Sequence, residues 1–246
     1  MKMMAGPDDP LVTCYIPTFN RADILLSRAL PSVKGQTYTN LEIIVAAHGC
    51  TDGTEARVRA LDDRRLHVLS VPRTRTYPPT AENHWLAGPV IPANAALHAS
   101  RGAWLSRVDD DDEWTPDHVE KLLRFAQSGD YEFVSSAYVR SEPGRESGRD
   151  GDYVTRVGPD RSIGGTQTWL YRSYLKFMRY NPDCWRKTHD RVNDLDLAER
   201  FRRAGVRIGY LDDATCIIRP RPGETEIGSA AYRNNAERIE RAYRFG

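Results

Sequence analysis

Three short apolar runs, LVTCYIP (11–17), LEIIVAA (41–47) and LHVLSV (66–71), are separated by segments whose apolar residues recur at helical spacing. That order leaves few folds open. Strand, helix, strand, helix, strand predicts a doubly wound, mostly parallel α/β sheet flanked by helices, because parallel neighbours need a crossover connection. Pro17 cannot donate to a ladder and closes the first run. In RADILLSRALPSVKGQ, Ile24, Leu25 and Ala29 fall at helical spacing, while Pro31 weakens the second half. The turn HGCTDGT follows the second run and leads into a helix at EARVRAL. Ligands of such sheets bind beyond the carboxyl ends of the strands, so the loops after Ile16, Val45 and Val108 are where function is expected.

Further along, the Pro-rich VPRTRTYPPTAENHWLAGPVIP (71–92) predicts an ordered loop leading into a helix at ANAALHAS (93–100). GAWLSRV is a strand that runs straight into Asp109. Thr115 as N-cap and Pro116 at the first position predict a helix over TPDHVEKLLRFAQS, with Val119, Leu122, Leu123 and Ala126 on its buried face. YEFVSSAYV reads as a strand, RSEPGRESGRDGD as a charged, mobile hairpin or loop, and GTQTWLYRSYL as an aromatic-rich strand or strand–helix junction. VNDLDLAERFRRAG is a helix closed by Gly205, with Leu195, Leu197, Ala198 and Phe201 inside. A strand at VRIGYL and an amphipathic helix at SAAYRNNAERIERAYRFG complete the chain, with no internal repeat and no domain boundary.

The chain has 246 residues, 40% of them hydrophobic, enough for one substantial core. A formal net charge of +1 supplies no field that would recruit nucleic acid or an anionic membrane. Cys14, Cys50, Cys184 and Cys216 lie far apart, which favours reduced thiols over disulfides or zinc. MKMMAGPDDP lacks the apolar core of a signal peptide, and no window approaches the roughly 20 apolar residues of a transmembrane helix. The expectation is a cytoplasmic protein with no nucleic-acid partner and no transmembrane segment. Peripheral membrane contact through the Arg-rich C-terminal helix stays open.

The feature with most chemistry is SRVDDDDEW (106–114), four consecutive carboxylates at a strand end. It is not an EF-hand: counted from Asp109, the sixth position is Trp114 where the loop requires glycine, and a strand precedes it. Two readings remain. The run is a solvated acidic turn, or it is a Mg²⁺ or Mn²⁺ seat in which hard oxygen ligands and the phosphates of a ligand share a cation that relieves the repulsion.

YIPTFNR (15–21), HGCTDGT (48–54), GPVIPANAALHASRGAWLSRVDDDDEWTPDHVEKLL (88–123) and NDLDLAERFRRAGV (193–206), in that order, resemble family 2 glycosyltransferases of the GT-A fold. The resemblance implies one GT-A domain over 1–246, with a nucleotide-binding half at about 11–112, an acceptor and catalytic half at about 113–213, and a tail at about 214–246. It implies a nucleotide-sugar donor, Mn²⁺ or Mg²⁺, and inverting transfer to a glycan, lipid-linked, protein or small-molecule acceptor. By position it implies that Pro17, Thr18, Asn20 and Arg21 lie around the nucleotide and that Asn94 flanks the donor pocket. Asp109 would face the ribose or the metal, and Asp111 would be the more direct metal ligand. Asp110 and Asp112 would stand behind them or be solvated. Asp194 would be the base, with Asp196 and the pair His189–Asp190 as alternatives.

One departure from the family pattern is His48, which stands where an aspartate usually meets the nucleobase. A neutral imidazole accepts from the N–H of uracil or thymine but cannot serve guanine's adjacent donors as a carboxylate does, which favours UDP or dTDP. Asp52 reads as the N-cap of the next helix. Trp85 and Trp169 are expected to line the site, and Gly164–Gly165–Thr166 either presents backbone N–H groups to the sugar or is a plain turn. A nucleotidyltransferase would show a Gly-rich basic loop where this chain has PTFNRAD. A non-catalytic nucleotide-sugar or glycan binder is the rival of a different class.

Overall fold

The structure is a computed structural model, described here for residues 9–142, 145–149, 155–156, 162–187 and 192–219. The chain runs β1 (Val12–Thr18), α1 (Ala22–Ser27), α2 (Ala29–Lys34), β2 (Leu41–His48), α3 (Thr54–Arg59), β3 (Leu66–Val71), α4 (Ala81–Ala87), α5 (Val90–Ala99) and β4 (Trp104–Arg107). It continues β5 (Glu113–Trp114), α6 (His118–Ser128), β6 (Phe133–Glu142), β7 (Arg145–Arg149), β8 (Thr155–Arg156), β9 (Ser162–Ile163), β10 (Trp169–Arg172), α7 (Asn193–Arg203) and β11 (Ile208–Ile218). The main sheet has the order β3-β2-β1-β4-β10-β6-β11-β5, with β7 added to β6, while β8 and β9 pair separately. The pairs β2–β3, β1–β2, β1–β4 and β6–β11 are parallel; β10 is antiparallel to both neighbours, as are β5 and β7 to theirs.

Side-chain alternation divides the core between the two faces of the sheet. Val12, Cys14 and Ile16 of β1, with Ile43 and Val45 of β2, pack with residues of α1, α2, α3 and α6. Tyr15, Ile44 and Ala46 face the other way, against α4, α5 and α7. The chain reverses its direction across the sheet between β1 and β4, so the crevice at their carboxyl ends is the switch point at which such sheets bind ligands. Pro17 fits that opening. The carbonyl of Tyr15 accepts from the Val108 N–H, and β4 pairs with β1 only as far as Tyr15. Pro17 lies two residues on and faces the same side, where a backbone donor would have no strand to meet.

Several elements differ from the sequence reading. The helix after β1 is two helices broken at Arg28 (φ −125°, ψ −83°), and Pro31 occupies the third position of α2, where its missing N–H costs nothing. The Pro-rich loop contains α4, which Thr80 caps by accepting the Asn83 N–H. Helix α5 begins at Val90, earlier than expected, and α6 begins at His118, later than Thr115. The charged hairpin is β6–β7, closed by Glu142 opposite Arg145. The predicted C-terminal helix lies outside the described residues. Among those residues no helix is long and apolar enough to cross a membrane.

Candidate functional site

At the end of β4, each carboxylate of the acidic run has its own surroundings. Arg107 donates from Nε and Nη2 to Asp109 Oδ1, at 3.1 and 2.7 Å. Asp110 Oδ2 accepts from the Thr18 hydroxyl at 2.8 Å, and its Oδ1 accepts from Arg21 Nη1 at 3.0 Å. The same guanidinium nitrogen reaches Asp111 Oδ2 at 2.9 Å, while Arg28 approaches the Asp111 carbonyl. The side chains of Asp110 and Asp111 are 8% and 4% exposed, against 24% for Asp109. Asp112 is buried too. The solvated reading of Asp110 and Asp112 is therefore corrected: guanidiniums and a hydroxyl brought in by β1, α1 and the α1–α2 break relieve the repulsion. Burial, then the charge of Asp111, pushes the Asp110 carboxyl up to about 6 against the pull of Arg21 and Thr18.

Asn20 adopts a left-handed conformation (φ 51°), which asparagine tolerates, and its Oδ1 accepts the Thr51 N–H at 2.7 Å. This latches the loop after β1 to the loop after β2. Asp52 adds a second latch, accepting the N–H groups of Ala22 and Thr54, so it serves the first residues of α1 and α3 together, while Gly53 holds the formal cap position. His48 is buried at the end of β2. Arg73 Nη1 faces its Nδ1 and the Thr74 N–H faces its Nε2, each at 3.2 Å. Both partners are donors and a neutral imidazole accepts at one nitrogen, so its acceptor is used inside the protein in this arrangement. Burial, then Arg73, pushes its pKa down to about 4 and keeps it neutral. Arg73 also lies over the Phe19 ring, 3.8 Å from the centroid. Gly49 (φ 63°) permits this, since a Cβ there would sit 2.5 Å from that of Arg73.

Asp194 lies in the first turn of α7, partly accessible, its Oδ1 accepting the Leu195 N–H. Burial raises its pKa; the Leu195 N–H and Arg107 pull it back, and Asp109 adds to the rise. Asp196 is buried between Lys187 at 2.8 Å on Oδ1 and Arg200 at 2.7 Å on Oδ2, so both of its oxygens are engaged within the protein. His189 and Asp190 lie outside the described residues. Asn94 spends its amide on Tyr180: Nδ2 donates to the Tyr180 carbonyl at 2.8 Å and Oδ1 accepts the Tyr180 N–H at 2.9 Å.

The expected site-lining role of Trp169 is corrected. It is 1% exposed, packs edge-on to Phe133 and donates to the Gly164 carbonyl, all within the core. The Gly164 N–H is taken by Ser135 Oγ at 2.7 Å, so this glycine is part of a turn and not a free donor. Trp85 is partly buried against the core. Sequence reasoning missed Arg107, a charged residue on a buried strand, and the hydroxyls of Tyr15, Tyr171 and Tyr180 beneath it; a charge at an alternating strand position was the available signal.

Hard carboxylate oxygens of the Asp109–Asp111 kind suit Mg²⁺ or Mn²⁺. Among the described residues no three His, Cys, Asp or Glu side chains converge as a metal-holding group. A cation here would therefore be held by one or two carboxylates, with ligand phosphates completing its shell.

Residues 13–190 match the profile described as Glycosyl transferase family 2. The chain is 28% identical to the putative colanic acid biosynthesis glycosyl transferase WcaA of Escherichia coli K12, over 96% of this chain and 85% of that protein. It is 27% identical to the Escherichia coli UDP-Glc:alpha-D-GlcNAc-diphosphoundecaprenol beta-1,3-glucosyltransferase WfgD, over 53% of this chain and 47% of the relative. Among solved structures, the mannosyltransferase PcManGT of Pyrobaculum calidifontis, in complex with GDP-Man and Mn²⁺, superposes with a TM-score of 0.65 at 18% identity, covering 96% of this chain and 65% of that one. Staphylococcus aureus TarS in complex with UDP-GlcNAc gives 0.62 at 20%, covering 87% and 59%. The chain thus spans less than two thirds of either solved chain, and at these identities the likeness establishes the fold.

Proposed function

The chain belongs to glycosyl transferase family 2 and is a glycosyltransferase of the GT-A fold; from that premise we propose that it transfers a sugar from a nucleoside-diphosphate donor to an acceptor nucleophile, with inversion and with a divalent cation. One observation carries this reading. At the β1–β4 switch point, the partly exposed Asp109 and the first turn of α7, which holds Asp194, lie on either side of the same guanidinium.

In this reading Asp109 and Asp111 would hold Mn²⁺ or Mg²⁺, which when bound neutralises charge on the leaving diphosphate. Pro17, Thr18, Asn20 and Arg21 shape the nucleotide end of the crevice, with Asp110 held behind them by Thr18 and Arg21. Asp194 takes the proton of the acceptor hydroxyl as its oxygen bonds to the anomeric carbon. The bond from that carbon to the phosphate oxygen breaks, and its electron pair leaves with the nucleoside diphosphate. The upward shift of the Asp194 pKa makes it a stronger base than an ordinary aspartate.

UDP- and dTDP-sugars stand first as donors. UDP is supported by the names of WfgD and the TarS complex, while PcManGT makes a GDP-sugar the next to test. His48 no longer argues for either in this arrangement, because its acceptor is spent. The name of WfgD supports a lipid-linked glycan as the first acceptor to try, ahead of protein or small-molecule acceptors. A cytoplasmic location belongs to the same reading. The replacement of the family's aspartate by His48 keeps open a second reading, a non-catalytic nucleotide-sugar binder. Calorimetry with UDP, dTDP and GDP, each with Mn²⁺ and with chelator, followed by nucleoside diphosphate release from the matching sugars, tests both. Metal-dependent binding with release supports the transferase; binding without release leaves the binder; no binding sinks both.

A further inference from the structure

Arg107 is 2% exposed, on a strand whose other residues are core. Burying a guanidinium is unfavourable unless its donors are met, and here each edge of the fork has a partner. Nε and Nη2 converge on Asp109 Oδ1 at 3.1 and 2.7 Å. Nη1 reaches Asn193 Oδ1 at 3.4 Å, and Asn193 Nδ2 in turn donates to the Leu86 carbonyl at 2.9 Å, tying the head of α7 to α4. The guanidinium carbon lies 5.3 Å from the Tyr180 ring centroid. The Tyr180 hydroxyl meets that of Tyr15 at 3.0 Å, and Tyr15 meets Tyr171 at 3.2 Å, all three rings being buried. Asn94 clamps the Tyr180 backbone from α5. One rigid fork therefore joins the strand that presents Asp109 to the helix that presents Asp194, above a buried hydroxyl relay.

We propose that Arg107 is a positioning residue for sugar transfer: it holds Asp109 and the Asn193–Asp194 helix head in one fixed geometry, so that the donor and the proton acceptor meet in line. The proposal rests on the transferase reading above. A lysine keeps the charge but replaces the planar fork with a single ammonium, which cannot hold both partners at these angles. Small misplacements of this kind are felt in turnover more than in binding, because they spoil the approach of the reacting atoms.

The test uses the full chain, with kcat and KM measured separately for nucleoside diphosphate release from UDP-, dTDP- and GDP-sugars in Mn²⁺, and a thermal melt of each variant. Arg107→Lys is expected to lower kcat about 100-fold while donor KM rises less than about tenfold. Tyr180→Phe leaves the ring over the guanidinium and removes one hydroxyl from the relay, and is expected to lower kcat about fivefold with KM unchanged. If Arg107→Lys does not fold, Tyr180→Phe decides in the same assay. Variants that melt earlier but turn over at the parental rate per folded molecule, or whose whole defect lies in KM, overturn the proposal and leave Arg107 a packing residue. A parent chain that releases nothing from any donor overturns the transferase reading and this proposal with it. An active parent with unimpaired variants overturns this proposal alone.

Discussion

Replacing Arg21 with methionine withdraws one cation from beside two buried carboxylates, at 3.0 Å from Asp110 and 2.9 Å from Asp111. At an effective dielectric of about 20, each contact carries roughly 5 kcal/mol of gross Coulomb energy, most of it offset by desolvation. Breaking a fully buried pair typically costs about 3–5 kcal/mol. Arg21 is itself 40% exposed, so water enters when it leaves, and the loss reduces to about 1–3 kcal/mol. Its pH dependence has a definite sign. Asp110 titrates at about 6 in the folded chain against 3.8 for a free aspartate, so between those values the folded state binds more protons and stability falls as pH rises. Removing Arg21 moves the upper edge of that window higher. At pH 5 Asp110 is protonated in parent and variant alike, so the loss of Arg21 is felt at Asp111 alone, whereas at pH 8 the Asp110 carboxylate loses its counter-charge as well. His48 and His118, pushed down by burial to about 4 and about 3, act with the opposite sign, but they cancel when variant and parent are compared at each pH. The expected loss is about 2 kcal/mol at pH 8, roughly 4–8 °C in Tm for a chain of this size, shrinking to under about 1 kcal/mol at pH 5. Melts in chelator at pH 5, 6, 7 and 8 measure it. Equal destabilisation at pH 5 and pH 8 refutes the assignment of Arg21 as the counter-charge.

Asp194→Asn should bind nucleotide as the parent does while turnover falls about 10²–10⁴-fold, and the acid limb of the parental rate profile should lie above the ordinary aspartate range because burial raises that carboxyl. Steady-state kinetics against pH checks both, and full turnover by the variant removes Asp194 from the mechanism. Asn94→Leu deletes both hydrogen bonds to the Tyr180 backbone, each worth about 1 kcal/mol net, so its melt should come earlier by several degrees with nucleotide affinity nearly intact. A selective loss of nucleotide binding in that variant would instead make Asn94 a direct ligand contact.

The sheet was legible because its strands carry their pattern locally. Val12, Cys14 and Ile16 alternate with Tyr15 and mark a strand buried on both faces, and the position of the acidic run follows once β4 ends beside β1. Helix α4 was not legible: Pro78 and Pro79 read as loop, and only the capping Thr80 betrays the start. The partners of the acidic run were hidden for a different reason. Arg21 and Asp110 are 89 residues apart, and Arg107 and Asn193 are 86, so nothing in local periodicity joins them. His48 illustrates the same limit. Its identity is consistent with a base contact, yet the use of its nitrogens depends on Arg73 and Thr74 at the end of another strand.

The charge balance around the run also bears on what a metal would do. Among the described residues the carboxylates of Asp109, Asp110, Asp111 and Glu113 are met by the guanidiniums of Arg107, Arg21 and Arg219, while Arg28 reaches the Asp111 carbonyl and Asp194 adds negative charge beside Arg107. Much of the run's charge is thus met by guanidiniums before any cation binds. A diphosphate brings further negative charge to the same edge, and only then does a divalent cation become strongly favourable. Mn²⁺ alone should therefore shift the Tm by less than about 1 °C at millimolar concentration, since with few converging protein ligands its own affinity is weak. Mn²⁺ together with UDP or another matching nucleoside diphosphate should raise it by several degrees, as ligand at about 100 times its Kd adds about 2.7 kcal/mol. If Mn²⁺ alone stabilises the chain as much as the pair does, the carboxylates form a metal site of their own, and the guanidiniums are not what relieves their repulsion.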